Sequence, residues 1–241
     1  MEDAAVNIVQ QSELNATLGH SPDETIAQSL SRAIHEHKLM PGMKLGEDEL
    51  AEVYGVSRTT IRAALRSLAH GKLVEIFRNR GAFVAQPSPK EAQEVFEARE
   101  LLEPRTAYSA ALKATPRDLD RLKAHIEREH DALHRGDRGH ALYLSGHLHV
   151  EIAKIAAQDI LTSFIETLIA RSSLVVALYW ARESAICERH AHDKLVDAMA
   201  ANDPDEAEAL MRSHLIDLHS ALDLSPPKPA GGSLKDLLSG G

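Results

Sequence analysis

A disulfide within this chain is excluded at the outset, because Cys187 is the single cysteine among its 241 residues. That usage suits a reducing cytoplasm, where the chain is expected to work. No apolar run reads as the ~20 residues that a membrane span requires, so no membrane partner is expected. The start, Met1-Glu2-Asp3, is acidic and has no apolar stretch behind it, which does not read as a signal peptide. No HExxH-type arrangement accompanies the histidines, and no internal repeat is visible. Positive charge is also short: the net charge is −9, which taken alone argues against nucleic acid as a partner.

The distribution of charge argues the other way. Residues 57–82 hold Arg58, Arg62, Arg66, Lys72, Arg78 and Arg80 against Glu75, a local charge of +5 that leaves −14 for the rest of the chain. A basic island on an acidic body is the footprint of a localised phosphate-binding surface. The length accommodates two domains, each with its own core.

Four helix starts share one grammar. Ser21, Ser88, Thr115 and Asp203 are each followed by Pro, with an acid two residues later, Glu24, Glu91, Asp118 and Glu206. The first side chain accepts orphan N–H groups, Pro suits the first helical position, and the acid suits the positive end of the dipole. These signals predict a helix over about 22–38. Short helices follow at 47–54 and 58–70, then two β segments at 73–77 and 82–85. Beyond a Pro/Ser linker, six helices are expected near 89–113, 116–135, 137–157, 159–182, 184–201 and 204–222. Pro104 interrupts the first of these six and should bend it. The predicted division is a flexible arm over 1–20, a winged helix-turn-helix over 21–86, an all-helical domain over 87–223 and a flexible tail over 224–241. The fold class is mainly α, with a short β-hairpin as the wing.

The helix over 58–70 has two stripes. Ile61, Ala64, Leu65 and Leu68 repeat at core-facing spacing, and Arg58, Arg62 and Arg66 repeat at i, i+4 and i+8. Ser57 caps it, and Thr59 and Thr60 lie near its N-terminal end. Such a helix suits a major groove, with Arg for guanine edges or phosphates and Thr for phosphate oxygens. Arg78, Asn79 and Arg80 at the following hairpin tip, with Gly81 permitting a positive φ, suit a wing that touches the adjacent groove or backbone.

The run from Leu45 to Leu68, with Gly71-Lys-Leu-Val74 and Arg80-Gly-Ala-Phe-Val84, resembles the GntR family of winged-helix regulators. The resemblance implies DNA contacts from Arg58, Thr59, Thr60, Arg62 and Gly81. One position departs: Asp48 stands where some members carry a phosphate-binding Arg. The second half resembles the FCD ligand-binding domain of the FadR branch, through Glu97-Ala-Arg-Glu-Leu-Leu-Glu-Pro104, His149–Ala157, His192–Met199 and Ala207–Leu215. Six helices in that space are similar to the shorter, VanR-like subgroup.

Periodicity places His149, His192 and His214 on core-facing stripes of three helices. Converging neutral imidazoles could hold a divalent ion such as Zn²⁺, or each could be a separately hydrogen-bonded core histidine, and His219 passes the same test. The resemblance singles out the first three as ligands. It also implies an Asp one turn before His149, where this chain has Ser145. Water and effector could complete a three-histidine site, a carboxylate such as Glu188 could replace the Asp, or no metal binds. Arg99 sits on a core-facing stripe, where it needs an anionic partner: the resemblance implies the carboxylate of an effector, and a local acid such as Glu103 is the alternative.

The expected function is a DNA-binding regulator, a repressor in the commoner family behaviour. Two protomers would pair on a two-fold operator, and a small organic acid bound beside Arg99 and Ser145 would change operator affinity. A metal-sensing repressor and a helical metalloenzyme are the alternatives.

Overall fold

The computed structural model describes residues 21–181 and 191–225. The predicted arm over 1–20, the tail beyond 225, Cys187 and Glu188 lie outside these residues.

The chain opens with α1 (Pro22–His35), β1 (Lys44–Leu45), α2 (Glu47–Tyr54) and α3 (Arg58–His70), followed by β2 (Val74–Phe77) and β3 (Gly81–Val84). β3 is central and pairs antiparallel with both β1 and β2. The hairpin expected from sequence forms from β2 and β3, and β1 adds a third strand to it. Two residues of β1 are too few to show alternation, and only their pairing across to Phe83 and Ala82 reveals a strand. The apolar stripes of α1 and α3 close one core with the inner sheet face. Ile26, Leu30, Ile34, Ile61, Leu65, Leu68, Val74 and Val84 are all buried there.

α1 stops at His35, short of the expected Lys38. Glu36 caps it, and His37 takes a φ of 55°. The Glu36 carboxylate accepts hydrogen bonds from Arg32 Nε (2.8 Å) and Lys38 Nζ (2.5 Å), which turns the chain back on itself.

The second half is helical among the described residues: α4 (Pro89–Lys113), α5 (Pro116–His134), α6 (Arg138–Ile155), α7 (Asp159–Tyr179), α8 (Ala191–Ala200) and α9 (Pro204–Ser220). The predicted caps form. Ser88 Oγ and Thr115 Oγ1 accept the N–H groups of Glu91 and Asp118, and Asp203 accepts that of Glu206. α4 continues through the buried Pro104 as one element. The main core draws on α4, α5, α6, α8 and α9, with Ala107, Leu122, Leu148, Ile152, Leu195, Met199 and Leu215 buried.

α7 differs from the expectation in one respect. By length and composition it is apolar enough to cross a membrane. Scattered polar residues such as Glu166 and Arg171 conceal this in a linear reading. It packs on α4 and α6, and its Leu174 enters the core of the winged helix.

The two halves meet where α1 ends and α6 begins. His140 Nδ1 lies 3.1 Å from Glu36 Oε1, and His37 Nε2 lies 3.0 Å from the Ser173 carbonyl oxygen. Gly139 approaches the Glu36 carbonyl so closely that a Cβ there would collide with it. Burial works against an ionised Glu36, but Lys38 and Arg32 outweigh it and hold its pKa at about 2.

Candidate functional site

Two surfaces are built from the predicted residues. The first is the outer face of α3. Ile61, Ala64, Leu65 and Leu68 are buried, and Arg58, Arg62 and Arg66 are exposed on the opposite stripe. Ser57 caps the helix by accepting the Thr60 N–H at 3.2 Å. The Thr60 hydroxyl is occupied by Ser57 Oγ at 2.9 Å, whereas Thr59 stands exposed. At the wing tip, Arg78 and Arg80 are exposed and Gly81 adopts a φ of 94°, which a side chain would strain. The Arg80 guanidinium lies over Phe77 and Phe83, 5.3 and 5.7 Å from the ring centres. Sequence reasoning missed that Arg58 and Arg62 are paired: Asp48 holds Arg58 Nε, and Glu47 Oε2 accepts from Arg62 Nε at 2.7 Å.

The second surface is internal. α6, α8 and α9 bring His149, His192 and His214 together, all buried, with ring centres 5.5, 5.3 and 4.8 Å apart. One nitrogen from each lies within 4.8 Å of the others. His219 does not join them. It stacks on Phe96, and its Nδ1 lies 2.8 Å from Glu100 Oε1. Periodicity could not separate these cases, because both kinds of histidine follow helical spacing.

Two carboxylates that sequence reasoning did not assign to this site set its chemistry. His149 Nδ1 donates to Glu103 Oε2 (2.5 Å), and His192 Nδ1 donates to Glu129 Oε2 (3.1 Å). With Nδ1 committed, the lone pair of the neutral His149 ring sits on Nε2. His192 Nε2 lies 3.2 Å from His214 Nε2. Glu129 was legible in principle, as an acid on the apolar stripe Leu122, Ile126 and Ala132 of α5. Burial opposes ionisation of Glu103, yet Arg99 and His149 hold its pKa at about 2. Burial keeps His149 neutral, with its pKa below the ordinary value. Burial likewise pushes His214 well below its ordinary value, reinforced by His192 and His149.

Arg99 is committed to its local acid. Its Nε lies 2.6 Å from Glu103 Oε1, and its Nη1 lies 3.3 Å from Ser172 Oγ. Ser145 lies half-buried one turn before His149, and Glu188 lies outside the described residues.

The donor set fits a divalent cation. It offers three buried imidazoles, two of them oriented by carboxylates as in metal sites, while His214 Nδ1 is buried without a hydrogen-bond partner.

Comparison with known proteins assigns each half of the chain to a family. The family described as "Bacterial regulatory proteins, gntR family" matches residues 22–84, and the FCD domain matches residues 94–217. The chain is 28% identical over 211 residues to the HTH-type transcriptional regulator LutR of Bacillus subtilis (strain 168), covering 78% of this chain and 95% of that one. It is 32% identical over 156 residues to the Uxu operon regulator of Haemophilus influenzae, covering 59% of this chain and 58% of that protein. Among solved structures, E. coli McbR/YncC shares the fold with a TM-score of 0.76 at 20% identity, over 83% of this chain and 96% of that one. A GntR regulator from Rhodococcus sp. RHA1 does so with a TM-score of 0.72 at 22% identity, over 83% and 97%. With an exposed arginine helix in the first half and an FCD match that alone spans over half the chain, this protein belongs to the gntR family of bacterial DNA-binding transcriptional regulators, in its FCD branch, and is not an enzyme.

Proposed function

We propose that the protein is a homodimeric repressor whose operator affinity is set by a small organic acid bound at a metal ion within the helical domain. The observation that carries this reading is the convergence of His149, His192 and His214 beside two orienting carboxylates. In this reading residues 21–86 form the reading head and 87–223 the sensor, and six sensor helices among the described residues favour the VanR-like subgroup.

On the reading head, Arg58, Arg62 and Arg66 address the major groove. Ser57, Thr59 and Thr60 lie at the helix end nearest the phosphates, with Arg78, Arg80 and Gly81 on the wing. In the sensor, His149, His192 and His214 would hold the ion, with Zn²⁺ suited to such nitrogen donors. A bound cation supplies an open coordination position for a carboxylate. Glu103 and Glu129 keep the Nδ1 protons of two ligands. Ser145, one turn before His149, would hydrogen-bond the acid. Arg99, already neutralised by Glu103, serves mainly to keep that carboxylate ionised. That same neutralisation favours a second reading, in which the ion itself is the signal.

A dimer is supported by the outer stripe of α4, where Glu97 and Arg105 lie one turn either side of the exposed Leu101. A two-fold axis at Leu101 would oppose each acid to the partner's base. Ile160 and Phe164 on α7 are also exposed.

The test uses duplexes recovered by the protein from a random pool. Binding is measured with Zn²⁺-loaded and chelator-stripped protein against a panel of mono- and dicarboxylates. An acid should weaken binding only when metal is loaded, and His214→Ala should abolish that response while retaining DNA binding. Metal alone switching binding would favour the second reading. A response that survives stripping would refute the metal-bound acid.

A further inference from the structure

We infer that Asp48 and Glu47 are specificity-positioning residues that reserve Arg58 and Arg62 for base edges and withhold them from phosphates; the inference rests on the DNA-reading role proposed above.

Both carboxylates belong to the first turn of α2, and both reach the first two turns of α3. Asp48 pairs with Arg58, and Glu47 pairs with Arg62 at 2.7 Å. Three of the four side chains are more than half exposed, and Glu47 is 31% exposed. Exposed pairs of this kind contribute little to stability. The attachment of α2 to α3 comes instead from Leu50, Ala51, Tyr54 and Val56 against the core. The pairs therefore need a reason other than folding.

The atoms involved supply one. Each carboxylate takes the Nε edge of its guanidinium. The terminal Nη1 and Nη2 groups of each arginine remain as a two-donor fork, the edge that can engage guanine O6 and N7. A neutral base edge leaves the ion pair intact. A phosphate does not, because it must approach beside a fixed negative charge at close range. The electrostatic penalty thus falls on phosphate contacts, which supply nearly all non-specific affinity. A base contact made through the Nη fork is spared most of it. Two acids beside a DNA-reading helix would then widen the gap between operator and random DNA, at some cost in total affinity.

The test compares binding of full-length wild type, Asp48→Asn and Glu47→Gln to two duplexes of equal length across a salt series. One duplex is recovered by wild type from a random pool, and the other has a random sequence. Asp48→Asn should tighten random-duplex binding about 3–10-fold near 0.1 M salt and steepen its log–log salt slope by about 0.9, one extra phosphate contact. Binding to the selected duplex should change less than about 2-fold, so that the ratio between them falls. Glu47→Gln should act in the same direction and gives the same readout should Asp48→Asn fold poorly by circular dichroism. Glu166→Gln, an equal charge change on α7, should alter neither affinity more than about 2-fold. Unchanged random-duplex affinity and slope in both variants would overturn the proposal, as would equal tightening on the two duplexes. If wild type recovers no preferred sequence at all, the base-reading role fails and this inference falls with it.

Discussion

A buried imidazole without a carboxylate neighbour is neutral because burial penalises its charge, and His214 illustrates this. His149 reaches the same state because burial outweighs the pull of Glu103, an acid that Arg99 also compensates. The arrangement Arg99–Glu103–His149 therefore fixes one proton at Nδ1 and leaves one lone pair at Nε2. Glu129 orients the His192 ring through a longer bond to its Nδ1. At this scale we predict that Glu129→Gln lowers Zn²⁺ affinity about 10–100-fold, measured by competition with a chromophoric chelator, while helix content is retained. Equal affinity in the variant would mean that Glu129 does not orient a ligand.

At the scale of elements, the contact between the end of α1 and the start of α6 joins the winged-helix half to the helical half. Gly139→Ala places a methyl group against the Glu36 carbonyl, and a cost of about 1–3 kcal/mol is expected in urea unfolding. Glu36→Gln should cost about 2–3 kcal/mol at pH 7, because Arg32 and Lys38 lose their shared acceptor. Its pH dependence has a definite sign. The folded pKa, about 2, lies below the ordinary 4.5, so the stabilisation is complete above pH 4.5 and is lost as pH falls toward 2. The gap between wild type and Glu36→Gln should therefore narrow below pH 5 and close only near pH 2. A gap that stays constant to pH 3 would contradict the assignment. Helix starts were legible in sequence because Ser88 and Thr115 act on neighbours three residues away. The end of α1 was not, because His140, which contacts Glu36, lies more than a hundred residues further along.

At the scale of the molecule, α7 is too apolar for the cover that one chain gives it. Its buried residues serve both halves: Leu174 enters the reader core, and Ile165 and Ile169 pack on α6. In the proposed dimer, its exposed Phe164 and Ile160, with Leu101 on α4, would face a second copy. Leu101→Glu should shift sedimentation from dimer toward monomer at micromolar concentration, and should weaken operator binding more than random-DNA binding, since only a two-fold site needs both heads. A dimer unchanged by this substitution would move the interface elsewhere.

The sequence by itself determined the capped helices, the outward arginine stripe of α3 and the inward placement of three histidines. Each of these is a local property, set by the 3.6-residue period and by side chains that act within one turn. Tertiary structure alone decided which histidines meet, since His149, His192 and His219 obey one periodicity and only the first two converge with His214. It also decided that Arg99 is already neutralised, that Glu129 turns toward His192, and that Asp48 faces Arg58. The physical reason is that a helix period fixes a direction about one axis, whereas a site requires the crossing of several axes, which only the packing of the whole chain specifies.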